Sequence, residues 1–583
     1  MRTDRSRRSR SHLALPAALA ALGVVAAGSW TAGTAQDEGP GASFFVERVD
    51  VNVVNVDVVV TDGQGRLVSG LEREDFRIFE DGVEQPITNF YVIEEGQVRT
   101  AGQPDRSATD EASPFRRRMV LLFDNNFLDK QQRRRALRSV HEFLDRKFDG
   151  TYEWSVVAVG DDVRVVEPFT SDKVRVRGAL DRIGRMPVNA QFHQVSREVL
   201  NDPVATRISQ RSAASRDAAV FGPDETQDLS SALRFESRFN AARNIQAVLR
   251  TAQAMIQSFR AYANLEGNKV LVLVTGGIPM LPEYGYQASD GEAGTAGDGR
   301  IAAATRDPQL AQLHQELREI VDAVVHEANA AQFKVYSVRP GLDLQQPQLD
   351  PEHRSSGATY NVGAFSAPIE MDDHDSAQLS LADGTGGRYL ASNEPIDSFE
   401  VIDGETSRYY SLGYSPAHSG DGEYHRIRVE VVRPGLRLRA RRGYVDLSDE
   451  QRLRLALETP LSFPKDRGTL PVEIELVGED GGRVTATAVL PLSYVTFFPH
   501  EGAYRGRIHV FLSVYDREGR LLDLDRKVQD LAYPEDRIAE AKTLPLRYHL
   551  RFDLPPKQAY TVGMTVFDEV TGHYGTALRE LEL

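Results

Sequence analysis

The sequence predicts a multidomain α/β plus β protein, with a doubly wound, mostly parallel sheet at its centre and β-sandwich-like units on its flanks. Three observations carry this prediction. From Arg118 to about residue 398, short apolar runs alternate with amphipathic helical stretches, as in a sheet covered by helices on both faces. On either side of that region the hydrophobic period drops to two, as in VDVNVVNVDVVV from Val49. And 583 residues are more than one hydrophobic core serves.

The elements follow in order. Residues 36–44 read as a Gly/Ala-rich linker, and 45–98 as an N-terminal β unit whose strands flank Gly-containing turns such as TDGQGRLV. This unit has too few strands for a core of its own. Residues 116–398 form the α/β domain. Its first strand, MVLLFD, precedes a helix with Ala136, Leu137, Val140, Phe143, Leu144 and Phe148 on one stripe. Strands 152–160 and 163–169 come next, then helix 236–262, strand 269–277, a long helix carrying Leu317, Val321 and Val324, and strand 333–340. Polar stretches near 188–235, 279–306 and 341–370 read as surface insertions. Residues 399–447 read as a β segment that completes a sandwich with 45–98, burying Val51, Val53, Ile427, Val429 and Val431 against one another. A helical linker over 448–459 leads to a C-terminal β domain at 460–583. There VYDREGRLL repeats the pattern of VTDGQGRLV, and VFDEVTGHY is a looser copy, so the repeated element is a hairpin with an Asp-initiated, Gly-containing turn.

The first 35 residues have a different character. Arg2, Arg5, Arg7, Arg8 and Arg10 precede an apolar run from Leu13 to Trp30, and small residues follow up to Ala35. That order is a secretory signal peptide, expected to be cleaved before Gln36. Its loss moves the formal charge from −16 to −20, because five Arg and one Asp leave with it. An excess of negative charge speaks against nucleic acid as a partner. No other segment is apolar enough for a membrane span after signal cleavage, so an extracytoplasmic location (periplasm, cell surface or medium) is expected. The absence of cysteine excludes disulfides, thiolate catalysis and Cys-ligated zinc.

Signatures of catalysis are missing. His141-Glu142 and His326-Glu327 each begin a zinc-protease HExxH pattern, but Asp145 and Ala330 stand where the second imidazole must be. No phosphate-binding loop, nucleophile elbow or dinucleotide fingerprint follows a predicted strand. Asp372, Asp373 and Asp375 with His374 read as favourable charge at a helix N-terminus. The remaining histidines are scattered and read as surface or hydrogen-bonded polar residues. The chain is therefore expected not to be an enzyme.

One carboxylate stands out. In MVLLFDNNFLDK, a buried strand delivers Asp124 to the sheet's carboxyl edge, where ligands of α/β proteins bind. Together with VDVVVTDGQGRLVSGLEREDFRIFEDG, VEPFTSD, NKVLVLVTGGIP, LADGTGGRYL, YYSLGYSP and DGEYHRIRVEVVRPGLRLRARRGYV, this stretch resembles the von Willebrand factor type A (VWA)-related domain proteins, a group of exported bacterial proteins. The resemblance runs in order over about 45–446 and leaves 460–583 outside. It implies a VWA-like fold, a role in protein–protein interaction or adhesion, and a divalent cation at the sheet edge. In such domains a D-x-S-x-S loop after the first strand, a middle-loop threonine and an aspartate after the fourth strand hold the ion, and Mg²⁺ suits such hard oxygen ligands.

Residue by residue, that site is incomplete here. Asp124 keeps the first position, and Asn126 stands at the first serine position with only an amide oxygen to offer. Leu128 replaces the second serine and Gly276 the aspartate, while Thr170 lies in a different loop. Asp124 and Asn126 are thus the candidate residues of a degenerate metal site, Mg²⁺ is the one candidate ion, and no cofactor is expected. Asp124 would instead cap the following helix or accept nearby backbone amides. The expectation is an exported, non-catalytic protein that contacts an unknown protein partner. A structural scaffold or carrier subunit of an envelope complex is the alternative, and an enzyme acting on envelope polymer the remaining one.

Overall fold

The computed structural model describes residues 53–95, 97–100, 106–107, 115–148, 150, 152–188, 243–280, 308–341 and 375–583, except 464, 466, 467, 480 and 557. The signal-like leader, Val51, most of the three polar insertions and residues 372–374 lie outside these.

Two distant stretches of chain weave one β unit. β1 (Val54–Thr61), β2 (Phe76–Glu80), β3 (Val83–Gln85), β4 (Asn89–Glu94), β5 (Gln97–Thr100) and β6 (Arg106–Ser107) come from the N-terminal side. The α/β domain then contributes β7 (Arg117–Asp124), α1 (Lys130–Lys147), β8 (Tyr152–Val159), β9 (Val163–Thr170), α2 (Lys173–Arg185), a helix α3 over 243–261, β10 (Asn268–Val274), α4 (Pro308–Ala330), β11 (Phe333–Pro340), a helix α5 over 375–385, β12 (Tyr389–Ser392) and α6 (Pro395–Ser407). The chain returns through β13 (Arg408–Tyr414), β14 (Tyr424–Val431), β15 (Arg437–Arg439) and β16 (Gly443–Val445).

β13 lies between β1 and β4, pairing Leu412 with Val56 and Tyr410 with Val92. β14 pairs with β2, placing Val429 opposite Ile78. Tyr410, Leu412, Tyr414 and Ile427 bury against Val56, Val58, Phe76 and Ile78, so neither stretch closes this core alone. The parity of β1 corrects the sequence reading: the residues sunk in this core are Val54, Val56, Val58 and Val60, and Val53 is only half-buried. The alternation was misread because the adjacent Val53 and Val54 shift its phase by one residue, and because β1 is covered on both faces from Val58 onward. Its Val59 packs with Ile93, Val98 and Tyr409, and Asp57 pairs with Lys334 of β11 at 2.9 Å.

The central sheet has six strands in the order β12-β11-β10-β7-β8-β9. All neighbours are parallel except β8 and β9. Alternate residues of the middle strands feed two cores. Val120, Leu122, Leu271 and Leu273 pack with Phe259, Leu317, Val321 and Val324 on one face. Leu121, Phe123, Val270 and Val272 pack with Val140, Leu180, Ile183, Phe399 and Ile402 on the other. Phe399 and Ile402 also explain a second correction. Residues 399–407, read from sequence as β, are the end of α6, because these side chains at helical spacing close the second core.

Past a helix over Asp449–Leu457, eight strands between Glu473 and Glu582 form a three-stranded and a five-stranded sheet around a separate apolar core. The repeated turns share their geometry. Asp62 Oδ1 accepts the Arg66 amide at 2.9 Å and Oδ2 its Nε at 2.8 Å. Asp516 does the same with Arg520, both at 2.7 Å. Gly65 and Gly519 occupy the left-handed region, with φ of 81° and 78°.

Candidate functional site

Strand order places the candidate site. The chain leaves β7 toward β8 on one side and resumes at β10 on the other, so the order reverses between β7 and β10. In doubly wound sheets the crevice at the carboxyl ends of such strands is where ligands bind. Asp124 ends β7 there, and Thr275 follows β10.

Both Asp124 oxygens are occupied. Oδ1 accepts the Asn126 amide and the Thr251 hydroxyl, each at 3.1 Å. Oδ2 accepts the Thr275 hydroxyl at 3.0 Å. The carboxyl is fully buried, and burial pushes its pKa up to about 7 against the hydroxyl and amide donors that pull it down. Asn126, also buried, donates its side-chain amide to Thr251 Oγ at 3.3 Å. The neighbouring Asn125 is pinned to β8 by an amide donated to the Val159 carbonyl, and its Oδ1 accepts from buried Arg133 at 3.1 Å. Asp124 does not cap α1. That role belongs to Asp129, whose carboxylate accepts the amides of Gln131 and Gln132 at 2.6 and 2.7 Å.

The residues present do not fit Mg²⁺. Leu128 is buried in the second sheet core and offers no oxygen. Gly276 is glycine for a steric reason: a Cβ there would lie 2.1 Å from the Phe127 carbonyl oxygen and 2.7 Å from Gln132 Oε1. The first loop has folded down onto the fourth-strand loop, filling the space a metal-binding aspartate would need. What remains is one buried carboxyl whose oxygens are taken up by Thr251, Thr275 and Asn126, a poor setting for an ion that keeps several of its waters.

Sequence reasoning missed Thr251. Its signal was faint: a threonine within the apolar stripe of α3, four residues after Ala247 and four before Met255. The HExxH-like pairs are structural. Glu327 pairs with Arg260 at 2.9 Å, and Ala330 is buried. Asp145 pairs with Lys173 at 3.2 Å and with Arg177. Asp375 accepts from Tyr389 at 2.6 Å and from Arg339 at 2.5 Å. Sequence reasoning also passed over His418 and His425, which the fold stacks against each other.

No family model matches the chain, and no curated protein matches it. Among solved structures, it is similar to an aerotolerance-related membrane protein from Bacteroides fragilis, at 10% identity and a TM-score of 0.24, over 50% of this chain and 98% of that one. A conserved hypothetical protein, BatB, from Bacteroides thetaiotaomicron is similar at 11% identity and a TM-score of 0.22, over 50% and 97% of the two chains. A mutant of the PilB minor pilin from Streptococcus sanguinis is similar at 8% identity and a TM-score of 0.24, over 58% and 80%. Likenesses at this level carry no functional argument. Among the described residues, no helix is long and apolar enough to cross a membrane.

Proposed function

We propose that the chain is an exported, non-catalytic, VWA-like protein whose α/β domain makes protein–protein contacts without a bound Mg²⁺. The observation that carries this reading is the condition of the sheet edge. A doubly wound sheet with one antiparallel edge strand presents its switch point at Asp124. There the carboxyl oxygens are held by Thr251, Thr275 and Asn126, and the Phe127 carbonyl covers Gly276. The hydroxyls of Thr251 and Thr275 do reach the Asp124 carboxyl, but all three side chains are buried and present no open surface to a substrate. The reading also rests on the sequence resemblance, a fold-level analogy as far as function goes.

Contact with a partner should therefore be indifferent to Mg²⁺. Crosslinking the full chain in its native envelope, before and after dialysis into Mg²⁺-free buffer, tests this. The same crosslinked partner under both conditions, and with Asp124→Asn, is expected. Loss of the crosslink on Mg²⁺ withdrawal and its return on Mg²⁺ addition would overturn the reading.

A further inference from the structure

The β unit holds a second cluster of donors, and it differs in kind from the sheet edge. Glu80 closes β2 and is buried, 6% exposed. Its Oε1 accepts the hydroxyls of Tyr414 and Tyr444 at 2.6 and 2.8 Å. Its Oε2 faces His418 Nε2 at 3.5 Å. That nitrogen is buried and makes no hydrogen bond. The other ring nitrogen, Nδ1, lies 2.8 Å from Oδ2 of buried Asp446. An ionised carboxylate can only accept, so Nδ1 carries the proton; in the neutral ring this tautomer leaves the Nε2 lone pair bare. A bare nitrogen lone pair then confronts a carboxylate lone pair across the gap.

Two acceptors do not face each other without a cation between them. A proton shared between nitrogen and carboxylate draws the heavy atoms to about 2.7–2.9 Å. A metal about 2.1 Å from each tetrahedral ligand holds them about 3.4 Å apart, close to what is seen. His425 supplies a third donor. Its ring now stacks on His418, with centroids 3.8 Å apart and planes 14° from parallel, and has to turn out of that stack to aim a nitrogen lone pair at the same ion. The ligand atoms of Glu80, His418 and His425 all lie within 4.8 Å of one another. The His425 nitrogens are bonded to Asp81 at 2.9 Å and to Asp421 at 3.2 Å. Ligation exchanges one of those bonds for the ion. The outer contacts are those that metal sites use: a carboxylate behind the ligating imidazole, and donors fixing the ligating carboxylate.

We infer that Glu80, His418 and His425 form a site for a divalent transition metal, with Zn²⁺ the best match, and that Asp446, Tyr414 and Tyr444 position its ligands. Imidazole nitrogen with a single carboxylate suits Zn²⁺ and not Mg²⁺ or Ca²⁺. Partial exposure of His418 and His425 leaves a path for the ion and room for water in the remaining position. The ligands come from chain segments more than 330 residues apart, so the ion would clamp the N-terminal strands to the returning ones. This inference is independent of the proposed contact role.

The test uses the full chain, stripped with a chelator and titrated calorimetrically with Zn²⁺, with Co²⁺ as a spectroscopic stand-in. One equivalent of Zn²⁺ should bind, Co²⁺ should give the visible absorption of a tetrahedral nitrogen–oxygen site, and Zn²⁺ should raise the melting temperature. His418→Ala should weaken binding at least about 100-fold, and Asp446→Asn by roughly 10- to 100-fold. His141→Gln should leave it unchanged. Absence of binding, or equal binding by His418→Ala, overturns the inference. If His418→Ala does not fold, His425→Gln and the Co²⁺ spectrum of the unaltered chain decide: a spectrum unmoved by His425→Gln is equally fatal.

Discussion

The sheet edge around Asp124 and the histidine cluster around His418 both gather oxygen and nitrogen donors into a small volume, yet they treat their lone pairs in opposite ways. At the edge, hydroxyls of Thr251 and Thr275 and the amide of Asn126 fill the carboxyl oxygens, and backbone fills the remaining space. In the cluster, phenols and a carboxylate fill only the outward-facing atoms, leaving Glu80 Oε2 and His418 Nε2 facing each other. A single acidic residue at the right topological position is therefore weak ground for a metal site. The satisfaction of its oxygens decides the matter.

Reopening the edge is the harshest way to test that contrast. Gly276→Asp puts a carboxylate where the Phe127 carbonyl already sits. It should destabilise the fold by on the order of 5 kcal/mol in denaturant unfolding, through overpacking and an unpaired buried charge, and bring no Mg²⁺ affinity. A stable variant that binds Mg²⁺ would show the edge to be an open site missing one ligand.

The next effect is smaller and depends on pH. The Asp124 pKa is raised in the fold to about 7 from 3.8. A raised folded pKa means the native state holds the proton more tightly than the unfolded chain. Its contribution is fully present below pH 3.8, is lost as pH rises, and is gone above about 7. Asp124→Asn removes that dependence, since threonine hydroxyls can accept from an amide as readily as they donate to an acid. The stability of the variant relative to the parent should rise by about 4 kcal/mol between about pH 4 and pH 8, read by chemical denaturation. A pH-independent difference would mean that Asp124 titrates normally and the edge is wetter than described.

Asp124 also shows what could be read from the sequence. The end of an apolar strand placed Asp124 at the sheet edge, because that signal is local. The α/β alternation and the period-two flanks were legible for the same reason. The parity of β1 was not, since the adjacent Val53 and Val54 shift its phase and burial on both faces erases the polar half beyond Asp57. Nor was the α6 end of the supposed β segment, where Phe399 and Ile402 seat on a sheet assembled from distant strands. The histidine cluster was invisible for a stronger reason. His425 reaches Asp81 across a sequence separation of 344 residues, and no local pattern records such a meeting.

The mildest perturbation is Thr251→Val. It deletes one donor to Asp124 Oδ1 and the acceptor for the Asn126 side chain, with little change of shape. About 1–2 kcal/mol should be lost in thermal or chemical unfolding, the cost of unmade buried hydrogen bonds. No loss would mean that the donors around Asp124 are not what holds it.

The contrast between a filled edge and an open cluster is tested most directly by crystals of the full chain grown with Zn²⁺ and with excess Mg²⁺. The account predicts an anomalous difference peak at the zinc edge between Glu80 Oε2 and His418 Nε2, and no ion of either kind beside Asp124. A metal at Asp124, or an empty Glu80–His418 gap in the presence of Zn²⁺, would contradict it.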